Sequence, residues 1–197
     1  MKLYERLPDR VRIGKKTYKV NLDFRNVLRM ISYLDDKSLL GEASRYLALK
    51  CVMKHPPKNT GDAITALNAM LFGQRKKNSG GKKRVTSYDQ DAGLIRAAFL
   101  QVYGIDLWTA KLHWLQFRDL MDGLPEGTRY NEIVGIRARP MPTPTKYNAD
   151  ERQWLARAKE EYALEMTEEQ AERNYNDSVL KVFNGLMSMA KGGINNG

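Results

Sequence analysis

The fold is decided by SYDQDAGLIRAAFLQVYGIDLWTAKLHWLQFRDLMDGLPEGTRYNEIVGIR, residues 87–137, which contain two of the three tryptophans and a helix start or stop signal near most predicted boundaries. Ser87 and Gln90 have the spacing of a capping box, in which each side chain satisfies a backbone N–H at the start of a helix. Gly104 suits the position just after a helix, because glycine tolerates positive φ. The first predicted helix therefore lies between Ser87 and Gly104. Its apolar face consists of Ala92, Ile95, Phe99 and Val102.

Two further helices are predicted in the same stretch. Thr109 is the predicted N-cap of the second helix, which ends near Gly123. Its apolar stripe consists of Trp114, Phe117, Met121 and Leu124. After a turn at Pro125–Gly127, Thr128 is the predicted N-cap of a short third helix. The apolar face of that helix consists of Tyr130, Ile133 and Ile136. The three helices are expected to pack on one another, because helical stability comes mainly from burying an amphipathic face.

Five strings in the sequence carry a resemblance to a known family. They are NLDFRNVLRM (21–30), YDQDAGLI (88–95), FLQVYGIDL (99–107), LHWLQFRDLMDGLPEGT (112–128) and EIVGIR (132–137). Together they resemble the bacteriophage Gp15 family, over a region that extends from about Leu7 to about Leu164. Members of that family resemble tail assembly proteins, encoded between the tail-tube gene and the tape-measure gene.

The resemblance implies an interaction protein. Its expected function is that of a tail assembly chaperone that binds the tape-measure protein, with tail-tube subunits as further clients, in the host cytoplasm. Such a chaperone would cover amphipathic helices of a long client and leave as the tube polymerises. Two alternatives stay open: a basic nucleic-acid-binding phage module, and a structural tail component retained in the virion. The sequence determines neither the client nor the oligomeric state, and self-association stays open.

Before residue 87, a small hairpin and three helices are predicted. Val11–Ile13 and Tyr18–Val20 are β-rich runs on either side of a glycine-containing turn. The predicted N-caps of the three helices are Asp23, Ser38, and either Asn59 or Thr60. Their predicted apolar faces are Phe24, Val27, Leu28, Ile31 and Leu34; Leu39, Leu40, Ala43, Leu47 and Cys51; and Ile64, Leu67, Leu71 and Phe72.

The predicted fold is mainly α: an irregular multi-helix bundle of about eight helices, with a small N-terminal β-hairpin and a C-terminal helical arm. A chain of 197 residues can bury a core without disulfides or metals. We predict a helical core domain over residues 1–138, a Pro-rich linker over 139–147 and the arm over 148–197.

The net charge of +10 is unevenly distributed. Residues 1–87 contain 20 basic and 7 acidic residues, whereas residues 88–197 contain 13 basic and 16 acidic ones. This asymmetry predicts either a polyanion or acidic partner for the first half, or a basic surface that is merely solvated. The densest segment, residues 74–86 with the sequence QRKKNSGGKKRVT, is predicted to be a mobile loop. The candidates for polyanion binding are Arg75, Lys76, Lys77, Lys82, Lys83 and Arg84.

The C-terminal arm carries an apolar stripe at helical spacing. The candidate partner-binding residues are Tyr175, Val179, Val182, Phe183 and Leu186. Met187 and Met189 lie in the same segment, and methionine-rich helix faces adapt to varied partner helices. The stripe is equally suited to packing on its own domain, because amphipathicity alone does not identify the partner.

No residue pattern supports catalysis, a cofactor or a metal site, so an enzyme is not expected. Cys51 and His55 have the i, i+4 spacing of two ligands, but a zinc site needs three or four. His113 is predicted to pack on Trp114 or to bond a backbone carbonyl, rather than to act as a general base. Asp91 is predicted to complement the dipole in the first turn of a helix.

Three features predict a cytoplasmic location. The sequence has no apolar run long enough to span a bilayer. The N-terminal residues MKLYERLPDR lack the apolar core of a signal peptide. The single cysteine, Cys51, excludes an intrachain disulfide and suits a reducing compartment.

Overall fold

This computed structural model describes residues 4–36, 38–39, 41–73 and 84–165, and within them the chain forms seven α-helices and one two-stranded sheet. The elements are β1 (Arg10–Ile13), β2 (Lys16–Lys19), α1 (Phe24–Asp35), α2 (Gly41–Val52), α3 (Thr60–Phe72), α4 (Ala92–Tyr103), α5 (Trp114–Asp122), α6 (Arg129–Ala138) and α7 (Ala149–Glu161). The prediction of a mainly α fold with a small N-terminal hairpin is confirmed. None of the helices in these residues is long and apolar enough to cross a membrane.

The chain divides between Pro140 and Met141 into two units. This division falls inside the predicted linker, residues 139–147. In the second unit, a proline-containing segment leads into α7. The Asn148 amide ties the two together, because its Oδ1 accepts from the Thr145 N–H and its Nδ2 donates to the Thr143 carbonyl, both at 2.9 Å. The buried residues of α7 are Leu155 and Ala158.

The hairpin pairs β1 and β2 antiparallel, with Arg10 opposite Lys19 and Ile13 opposite Lys16. Gly14 has φ of +57° at the turn, where a two-residue hairpin loop favours a residue that tolerates positive φ. Val11 and Ile13 are buried, and β1 packs against α3. This packing is required, because an isolated two-stranded hairpin is at best marginally stable in water.

The predicted N-caps Asp23, Asn59 and Thr128 are confirmed. The side-chain oxygen of each accepts the N–H of the residue two or three positions further on, at 3.0, 3.1 and 3.3 Å respectively. Each cap satisfies a donor that would otherwise lack a partner in the first turn. These three boundaries are therefore set by local sequence.

The predicted apolar face of α2 is wrong. Its buried residues are Ser44, Ala48, Leu49 and Val52, and its exposed residues include Ala43 and Leu47. The helix begins at Gly41 rather than near Ser38. The Ser44 hydroxyl donates to the Tyr33 carbonyl of α1 at 2.5 Å. This hydrogen bond holds the face that carries Ser44 against α1. The buried face of α2 is therefore rotated relative to the predicted apolar face.

An antiparallel bridge joins the segments that precede α1 and α5. It pairs Asp23 with His113, which lie 90 positions apart in the sequence. The Trp114 N–H donates to the Leu22 carbonyl at 2.7 Å, and a second bond of 3.0 Å runs in the opposite direction from the Phe24 N–H. Both helices begin at the residue after the bridge, so two backbone hydrogen bonds fix their first turns relative to each other.

His113, and not Thr109, is the N-cap of α5. Its Nδ1 accepts from the Leu115 N–H at 3.1 Å, while Gln116 Oε1 accepts from the His113 N–H at 3.0 Å. Nε2 lies 3.0 Å from the Pro8 carbonyl, so a neutral imidazole with its proton on Nε2 makes both bonds. The prediction that His113 bonds a backbone carbonyl is confirmed. The cap at Thr109 is wrong, because that residue lies in a separate turn five positions before the helix.

Asp91 anchors the start of α4. It occupies the N-cap position without making a side-chain cap bond. Its carboxylate accepts from the Ser87 N–H and from Arg137 Nη1 at 2.9 Å, and the two charged side chains are only 1% and 10% exposed. Ser87 Oγ accepts from the Gln90 N–H as predicted, the Ser87 N–H donates to the Asp91 carboxylate, and the helix begins at Ala92. Asp91 therefore ties α4 to α6, beyond the predicted role in the helix dipole.

Substitution of Trp114 measures how much the aromatic core contributes to stability. Its side chain is 1% exposed and lies edge-on to Phe72 and Tyr88, at ring separations of 5.6 and 6.0 Å. We expect Trp114→Ala to lower the free energy of unfolding by about 3–5 kcal/mol, because it leaves a large cavity. Chemical denaturation measures this loss. The matched control Trp108→Ala removes an exposed ring and should cost no more than about 1 kcal/mol. Equal losses for the two variants would contradict the burial of Trp114.

The two bonds of His113 can be separated by substitution. His113→Ala removes both the cap of α5 and the bond to Pro8, and we expect a loss of about 1–2 kcal/mol in the free energy of unfolding. His113→Ser keeps a cap acceptor but cannot reach Pro8, so it should recover roughly half of that loss. Thermal and chemical denaturation report both values. If Ser is as costly as Ala, the cap contributes nothing measurable.

Candidate protein-binding cleft

Three buried phenylalanines form a stack at the candidate site, and two of them, Phe24 and Phe117, line the floor of a cleft. Phe117 of α5 lies between Phe24 of α1, at a ring separation of 4.8 Å and 13°, and Phe99 of α4, at 5.3 Å and 18°. Offset-stacked rings at these distances contribute beyond the area that they bury. The stack places α1 and α4 on two sides of α5, with a cleft between them.

A short loop after α4 forms the rim of the cleft. Gly104 has φ of +66°, and its N–H donates to the Leu100 carbonyl, so the predicted C-terminal stop is confirmed. Asp106 then organises the loop. Its carboxylate accepts from the Trp108 N–H at 3.0 Å, and its carbonyl accepts from the N–H groups of Thr109 and Ala110. The loop is therefore a hydrogen-bonded turn that presents Trp108.

Two arginines from different helices hold this loop. Arg96 of α4 pairs with Asp106 through Nε and Nη2, at 2.9 and 3.2 Å. Arg25 of α1 donates from Nη2 to the carbonyls of Leu107 and Trp108, at 2.8 and 3.0 Å. The Arg96 guanidinium also lies 3.7 Å from the centre of the Trp108 ring, within the range of a cation–π interaction.

Trp108 is 75% exposed. Its backbone is nevertheless held by Asp106 and Arg25, and its ring lies against the Arg96 guanidinium. Tryptophan and arginine are enriched among the residues that dominate protein–protein binding energy. A side chain that is already held in place loses less conformational entropy on binding than a mobile one. Trp108 is therefore a preorganised apolar contact at the protein surface.

The cleft has a volume of about 210 Å³. Its lining residues are Phe24, Arg25, Leu28, Tyr88, Ala92, Ile95, Arg96, Leu107, Trp108 and Phe117. One water occupies roughly 30 Å³ in the liquid, and sites for drug-sized ligands start at roughly 300 Å³. The cleft is therefore sized for one large apolar side chain of a partner.

A second cavity of about 360 Å³ lies where α2 meets the segment that follows it. Its lining residues are Glu42, Ala43, Tyr46, Pro56, Pro57, Lys58 and Thr60. Its lining includes one aromatic side chain, that of Tyr46. The cleft at Trp108 is smaller but combines an apolar floor with a fixed, exposed anchor.

Most of the residues predicted as binding candidates lie outside the described residues. They are Arg75, Lys76, Lys77, Lys82, Lys83, Tyr175, Val179, Val182, Phe183 and Leu186. Of the predicted polyanion-binding residues, the structure describes Arg84. Its Nε donates to the Thr86 carbonyl at 2.9 Å and its Nη2 donates to Ser87 Oγ at 3.1 Å. Arg84 is thus engaged in the turn that leads into α4.

Sequence reasoning missed Trp108, Arg25 and Arg96. The two arginines are 71 positions apart, and their convergence on one loop depends on the packing of α1 and α4 around α5. Trp108 lies between two strings that carry the family resemblance, which was the one available signal. An exposed tryptophan does not contribute to any helical stripe, so a search for core periodicity passes over it.

Metal binding finds no support within the described ranges, where no three His, Cys, Asp or Glu side chains are grouped closely enough to hold an ion. α2 ends at Val52, so His55 is not on the helix that carries Cys51. The Cys51 thiol lies 3.5 Å from the Leu47 carbonyl, and burial raises its pKa. Cys51 packs partly buried against the core, as predicted.

A family model described as Bacteriophage Gp15 protein matches residues 3–164. The chain belongs to the bacteriophage Gp15 family. Comparison with curated proteins and with solved structures gives no match. The cleft and its Trp108 loop lie entirely within the part that the Gp15 family model matches, whereas the C-terminal stripe of residues 175–186 lies beyond it.

The hold on the Trp108 loop should depend on pH. The hydrogen bond from Arg96 and the bond from the Trp108 N–H lower the pKa of Asp106 below its ordinary value. The pairing is therefore fully formed above the ordinary range of aspartate and is lost as the pH falls through the lowered pKa. We expect Asp106→Asn to lower the melting temperature at neutral pH. Below the lowered pKa of Asp106, the melting temperatures of the variant and the wild-type protein should converge.

The measurement is the difference in melting temperature between the two proteins across a pH series. Glu132→Gln, which removes the more exposed ion pair between Arg129 and Glu132, serves as the control. Its effect should be small at every pH, because surface pairs contribute little. A difference for Asp106→Asn that does not shrink in acid would contradict the assigned role of the carboxylate.

Proposed function

We propose that this Gp15-family protein is a phage tail assembly chaperone that binds the tape-measure protein, and tail-tube subunits as further clients, in the host cytoplasm. The observation that carries the proposal is Trp108, which is fixed and exposed beside a cleft with a floor of buried aromatic rings. A client helix would insert one apolar side chain into the cleft and cover Trp108. This contact would keep an amphipathic helix of the client from aggregating before the tube polymerises.

The size of the cleft favours reversible binding. A helix bound in a groove normally uses several anchors at i, i+3, i+4 and i+7. A cleft of about 210 Å³ takes one of them, so each contact is small and weak. Weak, repeated contacts suit a long helical client that must later be released. A component retained in the virion would instead need a larger and more permanent interface.

The C-terminal stripe supplies the second predicted contact. Tyr175, Val179 and Phe183 have the spacing of one helix face, which suits either a client helix or another copy of this chain. The stripe follows the predicted linker of residues 139–147. A linked second contact raises the effective concentration of the first, so two weak sites together bind a long client usefully.

Trp108→Ala is the direct test. We expect it to weaken binding of purified full-length protein to tape-measure fragments by about 30-fold, the effect of losing a hot spot of about 2 kcal/mol. Fluorescence anisotropy with labelled fragments gives the dissociation constant. Trp154→Ala, which removes an exposed tryptophan from α7, is the matched control and should leave binding unchanged.

A second variant, Val179→Asp with Phe183→Asp, separates the two contacts. If this change abolishes binding while Trp108→Ala does not, the stripe is the client site and the assignment of the cleft is wrong. If no variant alters binding, or the wild-type protein binds no fragment of the tape-measure protein or the tube protein, the chaperone proposal fails. Recovery of the protein from purified virions in stoichiometric amounts would favour a structural component.

A further inference from the structure

We propose that this protein has a second binding surface, distinct from the cleft, which takes the phosphate backbone of a nucleic acid duplex without regard to base sequence. The surface consists of the hairpin and the C-terminal end of α2. The two segments that form it, residues 10–22 and 43–61, contain nine basic residues and are flanked at their ends by Asp9, Asp23, Glu42 and Asp62. The basic residues are Arg10, Arg12, Lys15, Lys16, Lys19, Arg45, Lys50, Lys54 and Lys58.

The hairpin places like charges directly opposite each other. Arg10 pairs in register with Lys19, on the face opposite to buried Val11 and Ile13. Like charges at such positions destabilise a strand pair. Among the residues that the structure describes, the ion pair of Arg10 is a distant contact of 4.0 Å with Asp9, and both side chains are about 70% exposed. A carboxylate at either position would stabilise the hairpin, so the pair has a cost that an anionic partner would offset.

The second segment adjoins the hairpin. The Asn21 N–H, just after β2, donates to the Val52 carbonyl at the end of α2, at 2.8 Å. Lys19, Lys50 and Lys54 each lie two positions from that bond and are exposed. These three cations, one from the hairpin and two from the end of α2, are thereby brought into one region of the first unit.

The residue types favour phosphates over an acidic protein. Six of the nine cations are lysines, and lysine is depleted in protein–protein interfaces. Lysine and arginine alike neutralise phosphates and release condensed counterions, whatever the base sequence. The outward residues of the hairpin include no aromatic ring for base stacking.

The test is binding of the full chain to a labelled random-sequence duplex of about 20 bp, followed by anisotropy between about 50 and 200 mM salt. The hairpin variant changes Arg10, Arg12, Lys15, Lys16 and Lys19 to Gln. The matched control changes Arg75, Lys76, Lys77, Lys82 and Lys83 to Gln, which removes an equal number of positive charges from the predicted loop. We expect the hairpin variant to lose at least tenfold in affinity at low salt. Its logarithmic salt slope should fall by about one for each phosphate that the protein no longer neutralises, and the loop variant should change less.

Three results would overturn the proposal. The first is no duplex binding by the wild-type protein at low salt. The second is an equal loss in both variants, which would show that binding follows net charge. The third is tighter binding to a poly-glutamate peptide than to the duplex, which would identify an acidic protein as the partner. Circular dichroism checks that each variant folds, and the pair Arg10→Gln with Lys19→Gln replaces the fivefold variant if that one does not.

Discussion

The bridge between Asp23 and His113 is the contact on which the first unit depends. Its two backbone hydrogen bonds fix the first turns of α1 and α5 relative to each other, although the two helices are far apart in the sequence. Phe24 and Phe117 lie in the first turns of these helices, and their rings stack at 4.8 Å. The floor of the cleft is therefore a consequence of the bridge. The same is true of the reach of Arg25, one residue further along α1, to the Trp108 loop.

Local sequence signals predicted much of the fold. The errors occur where a contact with a residue far away in the sequence determines the helix start or the buried face. Asp23, Asn59 and Thr128 cap their helices with their own side chains, so a short window contains the relevant chemistry. His113 became a cap only because the bridge holds its backbone and the Pro8 carbonyl holds its ring. The face of α2 was missed because the carbonyl of Tyr33 draws Ser44 inward. The cleft was missed for a similar reason, since three separate segments build it.

Two surface features depart from what stability alone would select. Trp108 exposes a large apolar ring, and Arg10 faces Lys19 across a two-stranded sheet. Sequences that specify a stable fold satisfy most local rules, and departures concentrate at functional sites. The two departures differ in chemistry, because one suits an apolar side chain and the other suits a polyanion. They are therefore expected to respond differently to salt, which weakens charge interactions and leaves burial of apolar area largely intact.

The interior of the first unit shows why the Trp108 loop keeps its conformation without a bound partner. The buried pair of Asp91 and Arg137 joins α4 to α6, and the stacked rings join α4 to α5 and α1. The Trp108 loop is attached to this framework from two sides, by Arg25 and Arg96. A partner that binds there does not have to order the loop, so little binding energy is diverted into folding. Under the proposed function, the same rigidity lets a client leave without a conformational change in the chaperone, and release is governed by the client's own assembly into the tube.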